Sequence, residues 1–312
     1  MSEFPHAGQC VPIVRLGSAV LADLLRWTSK WLPGFEYLPL PAIAFGEAVV
    51  GPWATAEQLR VTGRMAVWAY ALDDHVEREI TDLAALDEFF ARCSAIVHTG
   101  ASDDGHPLLS ALSAWQQELT SLPGYPALAP VWRQAFDACL SGHRHDWVVG
   151  WARERGEPPS TDVAAYLEHS DSSAVGQVHV PRWIVYGGAE LPSRLDVLLP
   201  ALTDVMVATR LANDLSTFER ERAEPGQNNV LMYGVSADWV QAEIGRRLTS
   251  VHTRLEPLAA GDFRPAVGLV RLADWCVGIY TGHDMRVAAV AAQPDPASSE
   301  STSSESTSGE RI

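Results

Sequence analysis

The sequence predicts an all-α protein folded as a single domain. Apolar residues recur at three- and four-residue spacing along most of the chain, and no stretch keeps the two-residue alternation of a β-strand. Pro-Gly pairs, at 33–34 and 123–124, end two of these periodic runs. With 312 residues, the chain is long enough to bury a sizeable core in one large domain.

The pattern indicates about ten to twelve helices of ordinary length. The main helical stretches are 14–32, 43–50, one from 54 past residue 77, 83–99, 108–122, 132–155, 163–186, 195–221, 236–258 and 265–290. The stretch 163–186 is interrupted at 169–176, where Ser and Asp compete with helical hydrogen bonds and Pro181 follows. We expect a helix break there, with backbone groups facing a cavity, or alternatively a plain interhelical loop.

Three segments are predicted along the chain. Residues 1–29 form an N-terminal segment, 30–292 form the helical domain, and 293–312 form a tail rich in Ser and Glu. The tail has too few apolar residues to order itself, and we expect it to be disordered.

Composition excludes several classes of protein. A net charge of −16 argues against nucleic acid or an anionic membrane as a partner. The four cysteines lack zinc spacing, which favours free thiols in a reducing cytoplasm. The start of the chain does not resemble a signal peptide, and no uninterrupted apolar run reaches about 18 residues. We therefore predict a cytoplasmic protein with no membrane span.

The first functional stretch is Trp68–Glu79, where an apolar run continues into a carboxylate cluster. Asp73 and Glu77 are four residues apart and share one face of a helix. Like charges at this spacing repel unless a cation lies between them, and Mg²⁺ binds through one or two carboxylates together with substrate phosphates. A solvated acidic helix end is the alternative that this stretch leaves open.

The second functional stretch begins 140 residues after Asp73. Asn213, Thr217 and Glu221 recur every four residues, so that amide, hydroxyl and carboxylate oxygens form one stripe on a helix. Two such stripes facing each other across a pocket would clamp a diphosphate through metal ions.

A third polar group is formed by His143, His145 and Asp146, for which a metal role is the less favoured alternative. Side chains two residues apart do not converge on a helix. We expect these residues on a wet helix face.

Together, the two stretches resemble the motifs of bacterial class I terpene synthases. Asp73, Asp74 and Glu77 match the family's DDxxE motif, and the second stretch matches NDxxSxxxE with Thr217 in the Ser/Thr place. The run Gly226–Val230 is similar to the Gly…Asn-x-Val run that follows the second motif. The likeness covers about residues 30–290 and implies a helical bundle around a central apolar cavity.

The resemblance also implies a reaction. A linear prenyl diphosphate would be ionised with three Mg²⁺ ions, and the resulting carbocation would cyclise. Asp73 and Glu77 would bind metal on one side, and Asn213, Thr217 and Glu221 would bind it on the other.

Basic residues near the two motifs would contact the diphosphate. Arg220 and Arg286 match basic positions of the family, although Val287 replaces the tyrosine that usually follows the second one. Arg210 lies one turn before the second motif and could reach the same anion or pair with a carboxylate. Asp74 points about 100° away from Asp73 and is expected to accept a hydrogen bond from an arginine.

One departure from the family concerns the arginine that senses diphosphate. In its register this chain has Ser170 and Asp171, so that Arg182, another cation or the metals alone would have to replace it. The missing arginine also supports an alternative of another class, a catalytically inactive binding protein of the same fold.

Aromatic side chains are expected to stabilise the carbocation by cation–π attraction, worth ~0.5–2 kcal/mol each. The candidates are Phe45, Trp68, Tyr70, Trp147, Trp183, Tyr186, Trp275 and Tyr280, of which about half should reach the cavity.

Small residues before the acidic pair bear on the size of the substrate. Ala66, Ala69 and Ala71 stand where relatives carry bulkier residues, which favours C20 geranylgeranyl diphosphate over C15 farnesyl diphosphate. A sesquiterpene synthase remains the alternative. A prenyl-elongating synthase fits less well, because the second motif is not a second DDxxD. The chain could act alone or as a homodimer.

Overall fold

The computed structural model describes residues 7–35, 38–158 and 162–281, and it confirms the all-α prediction. These residues form eleven α-helices and no strand. The helices are α1 Ala7–Trp31, α2 Leu40–Val50, α3 Ala56–Arg78, α4 Leu83–Thr99, α5 Pro107–Thr120, α6 Tyr125–Glu154, α7 Val163–Glu168, α8 Val175–Tyr186, α9 Leu195–Glu221, α10 Ala237–Ala260 and α11 Arg264–Tyr280. Arg286 and the predicted tail 293–312 lie outside the described residues.

Local sequence signals fix several helix ends. Thr55 and Gln58 form a reciprocal capping box at the start of α3, the helix of the first acidic motif. Asp82 caps α4, and Gly100 ends it in the left-handed conformation. The predicted helix starts differ most from the structure at α1 and α6, which both begin seven residues earlier than expected. Helix α1 contains Pro12, and helix α6 contains Pro130. Each proline is the sixth residue of its helix, beyond the first turn where proline is usual, and it removes one helical hydrogen bond there.

The N-terminal helix α1 packs against α2 and α3 and shares their core. Its residues Val20, Leu24 and Trp27 are buried together with side chains of α3 such as Leu59 and Met65. The boundary predicted at residue 30 therefore falls near the end of a helix that belongs to the same core.

Helix α1 is also the one described helix long and apolar enough to meet the criteria for a membrane span. The sequence analysis missed this because Arg15 and Asp23 interrupt the apolar run. Core helices of soluble proteins and N-terminal signal sequences meet the same criteria. Asp23 is tied to Arg64 of α3 at 2.9 Å, and one face of α1 lies in the core.

Six helices supply most of the walls of a cavity of ≈ 340 Å³, within the usual range for small-molecule sites. Helix α3 lines it from Ala66 to Glu77, a rise of about 16 Å. Helices α2, α8, α9 and α11 supply most of the other walls, and α6 contributes near the metal-binding motifs. Within the described residues, the acidic motifs lie at one end of this cavity.

A buried ion pair closes the other end. Glu47 of α2 and Arg182 of α8 are 1% and 5% exposed, and both line the cavity. The Glu47 carboxylate accepts hydrogen bonds from Arg182 Nε at 3.2 Å and from the second terminal nitrogen of the same guanidinium, and it also accepts one from Thr62 of α3. The pair ties α2, α3 and α8 together where the cavity ends.

Replacing Glu47 with leucine should therefore destabilise the fold. The change leaves the Arg182 charge buried without its partner, which typically costs about 3–5 kcal/mol of unfolding free energy. Urea denaturation followed by circular dichroism measures the loss. The double variant Glu47→Leu/Arg182→Met should lose less than the single variant, because it removes both charges. A single variant as stable as the wild type would contradict this role.

Candidate active site

The first acidic motif lies on the last turns of α3, at the cavity mouth. Asp73 and Glu77 both line the cavity, as predicted. The Asp73 carboxylate lies 4.0 Å from Nδ1 of His143 on α6, and its side chain is 42% exposed. Asp74 accepts a bond from Arg78 Nε at 2.8 Å, which confirms the predicted arginine partner. The motif is therefore exposed enough to receive an ion, and one of its aspartates is already paired.

The second motif lies on the last three turns of α9. Asn213, Thr217 and Glu221 all line the same cavity. Thr217 donates from Oγ1 to the Asn213 carbonyl at 2.9 Å, so that a lone pair of its oxygen stays available. Asn229, from the loop after α9, donates to Glu221 Oε2 at 3.0 Å and holds the carboxylate in place. Three oxygen donors are thus presented along one stripe of the helix.

The two motifs converge on one another. Gln227 follows α9 and donates to Glu77 Oε1 on α3 at 3.2 Å, which bridges the two sides of the cavity mouth. Burial raises the pKa of Glu221, against the lowering effects of its bonds to Asn229 and Thr217 and of the Arg220 charge, and the charge of Glu77 adds a smaller raising effect. Carboxylates from both helices therefore repel each other across the mouth. This arrangement favours a cation between them.

The donor set suits a hard divalent cation. All five predicted ligands offer carboxylate, amide or hydroxyl oxygen, the ligand type that Mg²⁺ prefers. These are Asp73, Glu77, Asn213, Thr217 and Glu221. Histidine is present only as His143, whose pKa is lowered by burial, so that it adds no compensating positive charge at neutral pH.

Arg210 lies one turn before the second motif and is almost fully buried. Its guanidinium donates to Asp146 Oδ1 of α6 at 2.6 Å, and to the His169 carbonyl and Ser172 Oγ at 2.7 and 2.6 Å. It also stacks over the Tyr166 ring at 3.9 Å. Of the two predictions for this residue, pairing with a carboxylate is confirmed.

Two of the acceptors of Arg210, His169 and Ser172, belong to a break in a helix. Helix α7 ends at Glu168, a 3₁₀ turn runs over Ser170–Ser173, and Ala174 adopts a left-handed conformation with φ 58° before α8 begins. Ser172, Ser173 and Ala174 line the cavity. The predicted break is thus confirmed, and Arg210 ties it to the metal-binding helix.

Known proteins share this sequence and this architecture. Residues 64–237 match the model described as terpene synthase family 2, C-terminal metal binding. The chain is 46% identical over 273 residues to the ent-pimara-9(11),15-diene synthase of Streptomyces sp. strain KO-3988, an alignment that covers 87% of this chain and 92% of that one. The chain belongs to the terpene synthase family.

Solved structures of other terpene synthases share the fold. The linalool/nerolidol synthase of Streptomyces clavuligerus, in complex with 2-fluorogeranyl diphosphate, aligns with a TM-score of 0.66 at 19% identity, over 85% of this chain and 94% of that one. The germacradien-4-ol synthase of Streptomyces citricolor aligns with a TM-score of 0.59 at 16% identity, over 88% and 96% of the two chains. These similarities confirm the class I terpene synthase fold.

The aromatic predictions for this terpene synthase divide evenly. Four of the eight candidates line the cavity: Tyr70, Trp147, Trp275 and Tyr280. The hydroxyl groups of Tyr70 and Tyr280 share a hydrogen bond of 3.1 Å across α3 and α11. Trp151 also lines the cavity and was not among the candidates.

Two aromatic substrate contacts were predicted wrongly. Trp68 is 1% exposed and points away from the cavity, where its Nε1 donates to the Leu108 carbonyl at 2.8 Å. Trp183 is buried against His179 and does not line the cavity. Phe45 and Tyr186 are likewise absent from its walls. Helical spacing predicted which side chains are buried but not which of the buried faces borders the cavity.

The expectations for the basic residues also need correction. Arg182 lines the cavity, but its guanidinium is held by Glu47 at the end opposite to the metal motifs, so that it does not replace the missing diphosphate sensor. Arg220 does lie at the mouth, where it is 2.6 Å from Glu224 and 3.4 Å from Glu221. The role predicted for Arg286 lies outside the described residues.

The α6 polar group was expected on a wet helix face, and this was wrong for two of its members. His143 and Asp146 line the cavity, and Asp146 joins Arg210 to Asn228 at 2.6 and 2.7 Å. His145 stacks on His169 with ring centroids 3.9 Å apart. Sequence reasoning misplaced Asp146 because α6 is buried on more than one side. The period of a helix predicts a single buried face and does not reveal a second one.

Asp214, between the predicted ligand Asn213 and the rest of the motif, was not assigned a role. It is 3% exposed and accepts from Tyr166 Oη at 2.7 Å and from the Val230 amide at 3.4 Å. Burial raises its pKa to about 7, against the lowering effect of the Arg210 charge. Asp214 borders the cavity, but its carboxylate is bonded to Tyr166 and to the Val230 amide, so that it holds the loop after α9 against α7.

Asp214 gives a testable dependence of stability on pH. Its pKa is about 7 in the folded protein and near 3.8 when unfolded, so that folding takes up a proton between these values. This contribution to stability is present below pH ~4 and is lost as the pH rises towards 7. We expect Asp214→Asn to lose less stability than wild type between pH 5 and pH 8, measured by urea denaturation in EDTA. Parallel pH profiles of the two proteins would contradict the assignment.

Asn229 gives a test of the second motif. Removing its amide in Asn229→Ala frees the Glu221 carboxylate, and loss of such outer partners typically weakens metal binding about 10–100-fold. Calorimetric titration of Mg²⁺ in the presence of inorganic diphosphate measures the change. Ser236→Ala, which removes the exposed cap of α10, is the control and should leave metal affinity unaltered. An unaltered affinity in Asn229→Ala would show that Glu221 does not bind the ion.

Proposed function

We propose that this terpene synthase is a diterpene cyclase that ionises a C20 prenyl diphosphate with Mg²⁺ and cyclises the carbocation. The observation that carries the proposal is the convergence of two oxygen-rich helix stripes at the mouth of one cavity. The alternative of an inactive binding protein has less support, because both stripes keep their full donor sets at that mouth.

The C20 substrate is supported by a relative and by the cavity. The 46% identical relative is a synthase of a pimaradiene, which is a C20 hydrocarbon. Ala66 and Ala69 line the cavity, as expected if their small size leaves room for a longer chain. Ala71 is fully buried in the core and contributes nothing to this room. Geranylgeranyl diphosphate is the linear substrate of this size, and farnesyl diphosphate is the shorter alternative.

We further propose that three Mg²⁺ ions bind at the mouth. Asp73 and Glu77 would hold metal on the α3 side, and Asn213, Thr217 and Glu221 on the α9 side. When bound, Mg²⁺ neutralises the charge that develops on diphosphate oxygens as the carbon–oxygen bond breaks. A chain with a net charge of −16 requires such local cations to hold a polyanion.

The chain's own residues do the remaining work. Arg220 lies at the mouth and donates hydrogen bonds to the departing diphosphate, while Arg210 keeps the helix break in place. The faces of Tyr70, Trp147, Trp275 and Tyr280 stabilise the cation within the cavity, and the apolar walls exclude water from it. The released diphosphate, or a carbonyl of the break near Ser173, takes the final proton.

Location and assembly remain proposals. We propose a cytoplasmic enzyme on the strength of its unpaired cysteines, Cys10, Cys93, Cys139 and Cys276, which are all free thiols. A homodimer stays a prediction.

The proposal predicts substrate-dependent release of diphosphate. Purified protein is incubated with Mg²⁺ and geranylgeranyl, farnesyl or a bicyclic C20 diphosphate, and both diphosphate and hydrocarbon are measured, the latter by gas chromatography and mass spectrometry. We expect C20 hydrocarbon, and the two C20 substrates show whether the accepted chain is linear or already partly cyclised. Release from farnesyl diphosphate alone would favour the sesquiterpene alternative, and no release from any of them would favour the binding protein.

The metal ligands are tested in the same assay. Asp73→Ala and Asn213→Ala should each lower turnover about 100-fold or more while helicity stays intact. Asp82→Ala is the matched control, because this aspartate caps the neighbouring helix α4 and lies outside the cavity. Full activity in either ligand variant would mean that the metals bind elsewhere.

A further inference from the structure

One of the residues with which α2 lines the cavity is a glycine, Gly46. A Cβ atom placed on this glycine would lie 2.7 Å from Nε1 and 3.0 Å from Cε2 of Trp275 on α11. Both residues line the cavity. The indole of Trp275 therefore lies directly against the backbone of α2, in space that any other residue at position 46 would occupy.

The two helices cannot readily move apart to admit a larger residue. Arg271 of α11 donates from Nε to the Val49 carbonyl of α2 at 2.6 Å, one turn from Gly46. On the next residue, Glu47 is fixed by Arg182 and Thr62. Because the backbone is tied on both sides of the contact, an added methyl group must displace the indole ring instead.

The direction in which the indole ring of Trp275 can move is mainly into the cavity. Its neighbours on α11, Leu272, Cys276 and Ile279, line the same cavity, so that this face of the helix borders open space. A ring that tilts away from α2 would narrow the space left for the isoprenoid chain. Protein interiors transmit such shifts because they are close-packed.

We propose that Gly46 determines the size of substrate that the cavity accepts, by letting Trp275 lie back against α2. This inference rests on the proposed function and specifies how the same site selects a C20 over a C15 substrate. Gly46 acts through Trp275 and is a positioning residue, whereas Trp275 contacts the substrate.

The test is the ratio of kcat/KM for geranylgeranyl and farnesyl diphosphate in Gly46→Ala. One methylene too many in an apolar pocket typically costs about 10–200-fold. We expect a loss in this range for the C20 substrate, a much smaller change for the C15 substrate, and a changed product mixture. If a bicyclic C20 diphosphate is the better wild-type substrate, it takes the place of the linear one.

A second variant tests the mechanism through the indole. Trp275→Phe removes one ring, so that Gly46→Ala/Trp275→Phe should recover most of the lost C20 activity. The single variant Trp275→Phe should accept a C25 diphosphate better than wild type. This single variant tests the proposal even if Gly46→Ala does not fold. If Trp275→Phe kept the chain-length preference of the wild type, the proposal would be overturned.

Gly17→Ala is the matched control. A Cβ atom on Gly17 of α1 would collide with the Phe45 ring of α2, but Phe45 does not line the cavity. This change should lower the melting temperature and leave the substrate ratio unaltered. Equal losses for both substrates in Gly46→Ala, or the same shift of ratio in Gly17→Ala, would reduce the glycine to a packing role. Inactivity of the wild type with every diphosphate would instead contradict the proposed function.

Discussion

The repulsion between carboxylates of α3 and α9 is the constraint on which the rest of the site depends. Glu77 and Glu221 approach each other across the cavity mouth, and burial already disfavours the charged form of Glu221. The surrounding residues hold the two helices in this unfavourable arrangement. Gln227 bridges to Glu77, Asn229 fixes Glu221, and Arg210 anchors α9 to Asp146. The folded protein thus keeps the Glu77 and Glu221 carboxylates in a repulsive arrangement, which a cation bound between them would stabilise.

The same anchors explain why the helix break is part of the site. Arg210 donates to two groups of the broken segment and to α6 with one guanidinium. A buried arginine with this many acceptors has little freedom, because each lost bond would leave a desolvated charge or carbonyl. The bonds of Arg210 therefore tie α9 to Ser172 and its neighbours. One side chain joins the cavity wall to the metal motif.

Much of the fold and the centre of the site could be predicted from the sequence, because both depend on local periodicity. The four-residue spacing of Asn213, Thr217 and Glu221 fixes one helix face regardless of the rest of the chain. The pairing of Asp74 with Arg78 is equally local. Several helix ends followed from Pro and Gly signals that act over a few residues.

The remaining parts of the site depend on contacts between distant residues. Asp146 meets Arg210 over 64 residues, and Glu47 meets Arg182 over 135. A single sequence does not tell which arginine finds which carboxylate. It also does not show that Trp68 faces α5 while Tyr70, two residues later, faces the cavity, since both sit in one apolar run. Helix orientation in the bundle decides that, and packing of the whole domain sets it.

The closed end formed by Glu47 and Arg182 has a consequence for the order of events. Within the described residues this charged pair lies in the wall away from the acidic mouth. Under the proposed function, an isoprenoid therefore lies with its tail towards the pair and its diphosphate head at the mouth. The hydrocarbon product then cannot leave through the mouth until diphosphate and its metal ions have left it. Release of inorganic diphosphate would therefore precede release of the hydrocarbon in every turnover.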